Sequence, residues 1–390
     1  MARGLRHGPA LDPARLGAGP NRVRHVGGRV GARARRCGAV RPRAVYGRRA
    51  VRVLVYGAGA VGSLVGARLA SAGFPVTLLA RRAHGEAVRR EGLWWTEGRG
   101  RARRVQVDAV EEVEELEGPF DVVFVTVKGY DVERAALDLP QLLAPRGRAV
   151  CLTNGVGHEE TLAARLGKET VVAGAVTASV SLEAPGRVLQ HTGGGVGLAG
   201  GGAAWTADLV AALRSGGFRA RAYARPVDLK WSKLLLNLVS NATSALLDLP
   251  PAKVYSDARL FRLERRMLGE AVAVGEALGV RWVNLPGFPV RVLVRLLRLP
   301  EAVCRPLLRS AVARGRGDKM PSLWYDLSRG RTEVAYLNGA VARWGALGGM
   351  ATPVNETLSR LVEEFSFGRL DPQEFRHNPC ALLRAVGTNG

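Results

Sequence analysis

One hexapeptide constrains this chain more than any other feature: Gly57-Ala58-Gly59-Ala60-Val61-Gly62, set between the apolar run 51–56 and the amphipathic stretch 61–71. A bare Gly-x-Gly-x-x-Gly is a weak signal, but at a strand-to-helix junction heading a series of βαβ units it points to dinucleotide binding. Gly57 permits the tight turn, Gly59 lets backbone approach a pyrophosphate, and Gly62 lets the helix pack closely on the strand. Ala58, Ala60 and Val61 complete the loop, and the helix N-terminus offers unpaired N–H groups and its dipole to the phosphates.

Short apolar runs then alternate with amphipathic ones. Residues 51–56, 76–80, 122–127 and 149–152 read as buried parallel strands, and 61–71, 131–139 and 158–166 as the helices between them. Residues 171–180 and 187–198 read as two strands joined by the turn Ala184-Pro185-Gly186, and 218–223 as a last strand. The Gly-rich stretch 193–202 lacks the Gly-Lys-Ser/Thr ending of a phosphate loop, so it reads as hairpin and turn. The acidic run 111–117 reads as a solvated helix face.

After Arg225-Pro226 helical patterns dominate, over 228–247, 257–278 and 332–344. Within this half, 290–313 is basic and amphipathic; Arg side chains snorkelling over their own domain are preferred to a membrane-surface helix. The expected fold is α/β: a Rossmann-type doubly wound parallel sheet over 49–224, followed by a mostly α-helical substrate and dimerisation domain over 225–390.

The formal charge of +23 suggests nucleic acid, but its distribution does not. Residues 1–50 hold thirteen Arg against the single acid Asp12, so this segment carries about half of the excess. With six Lys against 51 Arg in the whole chain, the Arg excess looks like codon bias, and each Lys becomes informative. Residues 1–48, rich in Arg, Gly and Pro without amphipathic period, read as a disordered tail, with a transit peptide or nucleic-acid arm as alternatives. Four scattered cysteines and six scattered histidines suggest neither a disulfide framework nor a metal site. No apolar run reaches the ~18 residues of a transmembrane helix. A cytoplasmic protein without membrane or nucleic-acid partners is expected.

Cofactor choice is read at the end of the second strand, where NAD enzymes usually carry Asp or Glu for the ribose 2′-hydroxyl. Here the strand ends Leu78-Leu79-Ala80-Arg81-Arg82. No carboxylate is in reach, and the two guanidiniums, Arg81 foremost, suit a 2′-phosphate. NADP(H) is therefore expected. The missing carboxylate weighs more than the arginines in so Arg-rich a chain.

Two further strand ends, Val125-Thr126-Val127-Lys128 and Thr153-Asn154-Gly155-Val156-Gly157, border the crevice of such a sheet. In the helical half, Lys233, Asn237 and Asn241 recur every four residues, on one face of a single expected helix. An otherwise apolar helix with such a stripe needs partners for it. Lys319-Met320-Pro321-Ser322 and Arg331-Thr332-Glu333, followed by Leu337-Asn338-Gly339, come last.

Taken in order, these segments resemble the ketopantoate reductase (2-dehydropantoate 2-reductase) family from about residue 51 to 362. The resemblance implies a second domain like that of 6-phosphogluconate dehydrogenase, reduction of a small 2-oxo acid by NADPH in pantothenate synthesis, and a homodimer. It also implies roles: Lys233 matches the family's proton donor, and Asn237, Asn241 and Ser322 match substrate contacts. Lys128, Asn154 and Glu333 match positions bordering the cofactor and the reacting carbon, and Glu333 can chemically either orient Lys233 or accept from the hydroxyl formed. The chain departs from the pattern where the family commonly has a further Asn, ten residues beyond Asn241; Pro251 stands there. The segment 285–317 is also longer than in short family members. Both departures bear on substrate identity, which leaves a reductase of another 2-oxo acid or an opine-type substrate as the alternative. An NADP-sensing regulatory or nucleic-acid-binding protein is the remote one, and retention of Lys233 and Glu333 speaks against it.

Overall fold

A computed structural model describes residues 50–387, Arg316 excepted. The expectation of a disordered tail over 1–48 lies outside the described residues.

The glycine-rich turn sits where the expected βαβ series begins. Strand β1 (Val53–Tyr56) leads into helix α1 (Ala60–Ser71), β2 (Val76–Leu79) and helix α2 (Arg82–Glu91). Three short strands follow, β3 (Leu93–Glu97), β4 (Arg103–Val105) and β5 (Asp108–Val110), and then β6 (Phe120–Val125). Helix α3 (Val132–Leu142), β7 (Leu143–Cys151), α4 (His158–Leu166) and β8 (Val171–Val176) extend the series. It closes with β9 (Ser179–Ala184), β10 (Arg187–Thr192), β11 (Gly195–Gly200), α5 (Ala203–Ser215) and β12 (Arg219–Tyr223).

Eight strands make one sheet in the order β12-β11-β8-β7-β6-β1-β2-β5. From β5 to β8 every pair is parallel, and the chain reverses its direction of travel across the sheet between β1 and β6. That reversal is the switch point at which doubly wound sheets open their ligand crevice. β11 runs antiparallel to β8, and β12 parallel to β11. Apolar side chains cover both faces, in separate clusters around Val55, Leu78 and Phe124 and around Leu54, Val123 and Val125. Burial on both sides is why the strands read as unbroken apolar runs.

Several sequence expectations need correction. The two long strands 171–180 and 187–198 are each divided: β8 and β11 belong to the large sheet, while β9 and β10 join β3 and β4 in a four-stranded one. The division is fastened at Thr177, whose N–H donates to Gly195 O at 2.9 Å and whose hydroxyl reaches Pro286 O at 2.7 Å. Alternation cannot show where a strand changes sheets. The acidic run 111–117 contains only a 3-10 turn, Val113–Glu115, closed by reciprocal bonds between Glu112 and Glu115. Helix α2 was not expected at all, being polar and Arg-rich.

Beyond Arg225 the described chain is helical: α6 (Pro226–Leu238), α7 (Asn241–Leu247), α8 (Pro251–Ser256), α9 (Ala258–Ala277), α10 (Val290–Leu297) and α11 (Glu301–Gly315). Next come α12 (Ser322–Leu327), a 3-10 turn Val334–Tyr336, α13 (Asn338–Leu347), α14 (Pro353–Ser366), α15 (Pro372–Phe375) and α16 (Pro379–Ala385). Their core forms around Leu235, Phe261, Leu268 and Leu358. The basic segment 290–313 is two helices, and it buries Val290, Val294, Leu297, Cys304, Leu308 and Val312 in that core while Arg291, Arg295 and Arg298 stay outside. Among the described residues no helix is long and apolar enough to cross a membrane. Helix α6 packs directly on β8 and β11, so the sheet and the helices share one boundary.

The expected single helix over 228–247 is broken. Helix α6 ends at Leu238, and Ser240 adopts a left-handed conformation (φ 58°) before α7 begins at Asn241. A buried carboxylate makes the break tolerable: Glu264 accepts from Ser240 N–H at 2.7 Å and Thr243 Oγ1 at 2.6 Å. Lys233 and Asn237 remain one turn apart on α6, whereas Asn241 opens a new helix.

Candidate functional site

The glycine loop lies at the C-terminal end of β1, beside the switch point. Gly57 has φ +92°, and a Cβ there would stand 2.5 Å from Val127 Cγ1. A Cβ at Gly62 would meet Val55 Cγ1 at 2.8 Å as well as Thr126. Both glycines are therefore required by the protein's own packing. Gly59 is different: its φ is −76°, and a Cβ would meet nothing within 4 Å. Space is open outside the loop at the residue over which a pyrophosphate would approach. The first turn of α1 has no side-chain cap and no acid, leaving its N–H groups for an anion. A dinucleotide fits this cradle.

Buried groups brace the loop from behind. Gly186 N–H donates to His84 Nδ1 at 2.9 Å, so the ring proton sits on Nε2, which donates to Ser63 Oγ at 2.9 Å. Ser63 in turn donates to Ala58 O at 3.2 Å. Burial pulls the His84 pKa down, which favours the neutral ring this relay needs. At the end of β2, Arg81 precedes α2 and Arg82 is its first residue. Arg82 reaches Glu86 at 3.2 Å and Glu111 at 3.8 Å, whereas no described acid lies within ion-pair distance of Arg81.

The strand ends beyond the switch point meet the helical half. Lys128 Nζ lies 2.9 Å from both Asp326 oxygens and 2.7 Å from Glu333 Oε2; the second oxygen of Glu333 accepts from Gly129 N–H at 3.0 Å. Both carboxylates are 3% exposed, so the one ammonium stands against two buried negative charges. Burial alone would lower the Lys128 pKa, but Glu333 and then Asp326 more than offset it and hold the ammonium above its usual value. Glu333 thus holds both Lys128 and the Gly129 backbone. Asp326 carried no sequence signal, because a lone acid on a short helix is unremarkable until the fold places Lys128 against it.

Asn237 Nδ2 donates to Asn154 Oδ1 at 3.2 Å, which joins α6 to the loop after β7. Asn241 donates to Ser322 Oγ at 3.3 Å and accepts from Leu323 N–H at 3.1 Å. Ser322 and Asp326 lie one turn apart on α12, so this short helix links the Asn241 contact to the Lys128 cluster. Lys233 is half-buried on α6, one turn before Asn237. Pro251 is buried at the start of α8 and offers no polar side chain. Lys319 reaches Ser179 Oγ at 2.8 Å, on the smaller sheet.

Comparison with known proteins bears on what such an arrangement is. A family model described as "Ketopantoate reductase PanE/ApbA" matches residues 53–200, and its C-terminal counterpart matches residues 227–366. The 2-dehydropantoate 2-reductase of Halobacterium salinarum is 33% identical over 318 residues, 80% of this chain and 98% of that protein. The enzyme of the same name from Archaeoglobus fulgidus is 32% identical over 330 residues, 82% and 99% of the two chains. Among solved structures, a PanE/ApbA family ketopantoate reductase from Ralstonia eutropha JMP134 superposes with a TM-score of 0.70 at 28% identity, covering 82% of this chain and 99% of that one. D-mandelate dehydrogenase with NADH and anilino(oxo)acetate superposes with a TM-score of 0.71 at 24% identity, over 82% and 99% of the chains, and shows the fold alone.

Proposed function

We propose, for a chain that belongs to the ketopantoate reductase family, an NADP(H)-dependent reduction of 2-dehydropantoate to pantoate, in the service of pantothenate synthesis. One observation carries the reading: side chains from the two halves meet as pairs across one boundary, Lys128 with Glu333 and Asn154 with Asn237. The loops after β6 and β7 meet α6, α12 and Glu333 at this boundary, and in this reading a small substrate lies there beside the dinucleotide.

A bound dinucleotide would supply the reducing equivalent as hydride. In this reading Gly57, Ala58, Gly59, Ala60, Val61 and Gly62 cradle its pyrophosphate, Arg81 takes the 2′-phosphate, and Lys128, Asn154 and Glu333 border its reacting end. Reduction at C2 of a 2-oxo acid leaves negative charge on oxygen. Lys233 stabilises that charge and delivers the proton, a general-acid role worth ~10²–10⁴ in rate. Asn237, Asn241 and Ser322 offer neutral donors to the substrate, as the serine hydroxyl can donate while accepting from Asn241. Glu333 holds Lys128 and the Gly129 backbone in register.

Pro251 favours a second reading of the substrate. It replaces a polar residue common in the family by an apolar one, which suits a 2-oxo acid with a plainer tail than 2-dehydropantoate. The test is NADPH oxidation with purified protein, 2-dehydropantoate being compared with smaller and larger 2-oxo acids. Highest kcat/KM on 2-dehydropantoate supports the first reading, highest on an apolar 2-oxo acid supports the second, and no turnover of any 2-oxo acid overturns both. Lys233→Ala should lower kcat by ~10²–10⁴ while NADPH affinity, read by fluorescence titration, stays within a few-fold. Equal loss of affinity and turnover would remove Lys233 from the proton-donor role.

A further inference from the structure

The loop that carries Asn154 is held by two buried groups that the proposed reaction does not use. Lys230 is 4% exposed and His158 is 2% exposed. Lys230 Nζ donates to Thr153 O at 2.7 Å and forms an ion pair with Glu159 at 2.9 Å. His158 Nε2 lies 3.0 Å from Asn154 O. A carbonyl only accepts, so the ring proton must sit on Nε2. The imidazole also packs at a tilt of 44° against the Tyr336 ring with centroids 4.4 Å apart, and Tyr336 O accepts from Val156 N–H at 3.3 Å. Two successive carbonyls, those of Thr153 and Asn154, therefore each receive a side-chain donor from a different helix.

Stability alone does not account for this arrangement. Removing a charge pair from water costs several kcal/mol per ion, and apolar replacements of such pairs are often neutral or stabilising. Yet one of only six lysines in the chain is buried here. What Lys230 supplies that an apolar residue could not is a charged donor at one atom, the carbonyl preceding Asn154. Burial first, and then the Lys230 charge, push His158 down to about 3, so the ring stays neutral with its single proton committed to Asn154 O. Asn154 then meets Asn237 of α6, the helix that also bears Lys230 and Lys233.

We infer that His158 and Lys230 are positioning residues that clamp the Thr153-Asn154 backbone from two sides and thereby set the Asn154 amide against α6. The inference rests on the role given to Asn154 above. It adds that the helix bearing the proton donor and the loop bearing Asn154 are kept in mutual register by the Lys230 bond.

A double-mutant cycle on turnover tests it. Lys230→Met with Glu159→Gln removes both charges together, so that no unpaired ion is left buried. His158→Phe keeps a ring against Tyr336 and removes the donor, and His158→Gln restores an amide N–H. The two disabling variants should lower kcat/KM for the 2-oxo acid by about 10–100-fold, the scale of a misplacement of about an ångström, with His158→Gln recovering most of the loss. In an Asn154→Ala background neither should cost more than about 3-fold further, since groups acting through a third residue are non-additive with it. Full, multiplicative losses in that background would overturn the clamp and leave a merely structural role. Wild-type turnover in His158→Phe beside an impaired Asn154→Ala would also overturn it, leaving the role of Asn154 intact. Wild-type turnover in Asn154→Ala would instead overturn the role of Asn154 and the clamp with it.

Discussion

Replacing Lys128 by Met should destabilise the protein in a way that depends on pH. Lys128 is the one cation within 3 Å of Asp326 and Glu333 among the described residues, and both acids are almost wholly buried. Methionine keeps the stem and removes the charge. Deleting one partner of a buried ion pair typically costs about 3–5 kcal/mol, because the other partner keeps its desolvation penalty. The Lys128 side chain is 34% exposed, so water reaches part of the cluster and the expected loss falls to about 2–3 kcal/mol. At about 2–4 °C per kcal/mol this is a fall in melting temperature of about 5–10 °C. The sign of the pH effect follows from the charges. In the wild type the raised Lys128 pKa is stabilising below the ordinary lysine pKa, and that contribution fades as pH rises through the folded value. The deficit of the variant should therefore shrink between pH 8 and about pH 11, where the wild type itself loses the Lys128 charge. Adding Asp326→Asn should recover much of it at pH 8. The assay is urea unfolding of each variant at both pH values. A deficit below about 0.5 kcal/mol, far under the figure for a broken buried pair, or one equal at both pH values, would refute this electrostatic account.

Three further outcomes are expected. Gly59→Ala should leave the melting temperature near that of the wild type, because its Cβ meets open space, yet weaken NADPH binding in a fluorescence titration; Gly62→Ala, crowded by Val55 and Thr126, should lose stability first. The opposite pattern would refute the loop assignment. Arg81→Ala should raise the KM for NADPH by about 10–150-fold, the worth of one charge-assisted contact, and that for NADH little; equal effects would remove Arg81 from 2′-phosphate recognition. Because burial and the charges of Lys230 and Arg343 lower His158, the unfolded chain takes up its proton first. Stability should therefore fall by up to about 1.4 kcal/mol per pH unit from about pH 6.5 downward. His158→Phe should reduce that slope by about one proton's worth in urea titrations, buried His84 contributing the same sign, and an unchanged slope would assign acid sensitivity to other groups.

Local rules carry much of this protein. A glycine pattern between an apolar run and a helix, followed by further alternation, determines a doubly wound sheet, because strands buried on both faces and helices buried on one must write themselves that way. Asn237 and Asn241 stand out from sequence alone, since amides in apolar surroundings need partners, while Asn154 stands out at a strand end and Ser322 through the family resemblance. Spacing, however, cannot show which partner each one finds. The i, i+4, i+8 stripe predicts one helix for Lys233, Asn237 and Asn241. Only the tertiary structure reveals the turn at Ser240, because the carboxylate that satisfies it comes from Glu264, on a different helix. Spacing shows no partner for Glu333, and the fold sets it against Lys128, some two hundred residues away, with Asp326 as an unforeseen third member. Lys230 lies one turn before the expected proton donor with no partner legible in the sequence, and the fold buries it on Thr153 O and Glu159. Periodicity reports which face of an element avoids water, and chain order sets the sheet. The pairing of charges and amides across the boundary depends on long-range packing, to which neither periodicity nor spacing is sensitive.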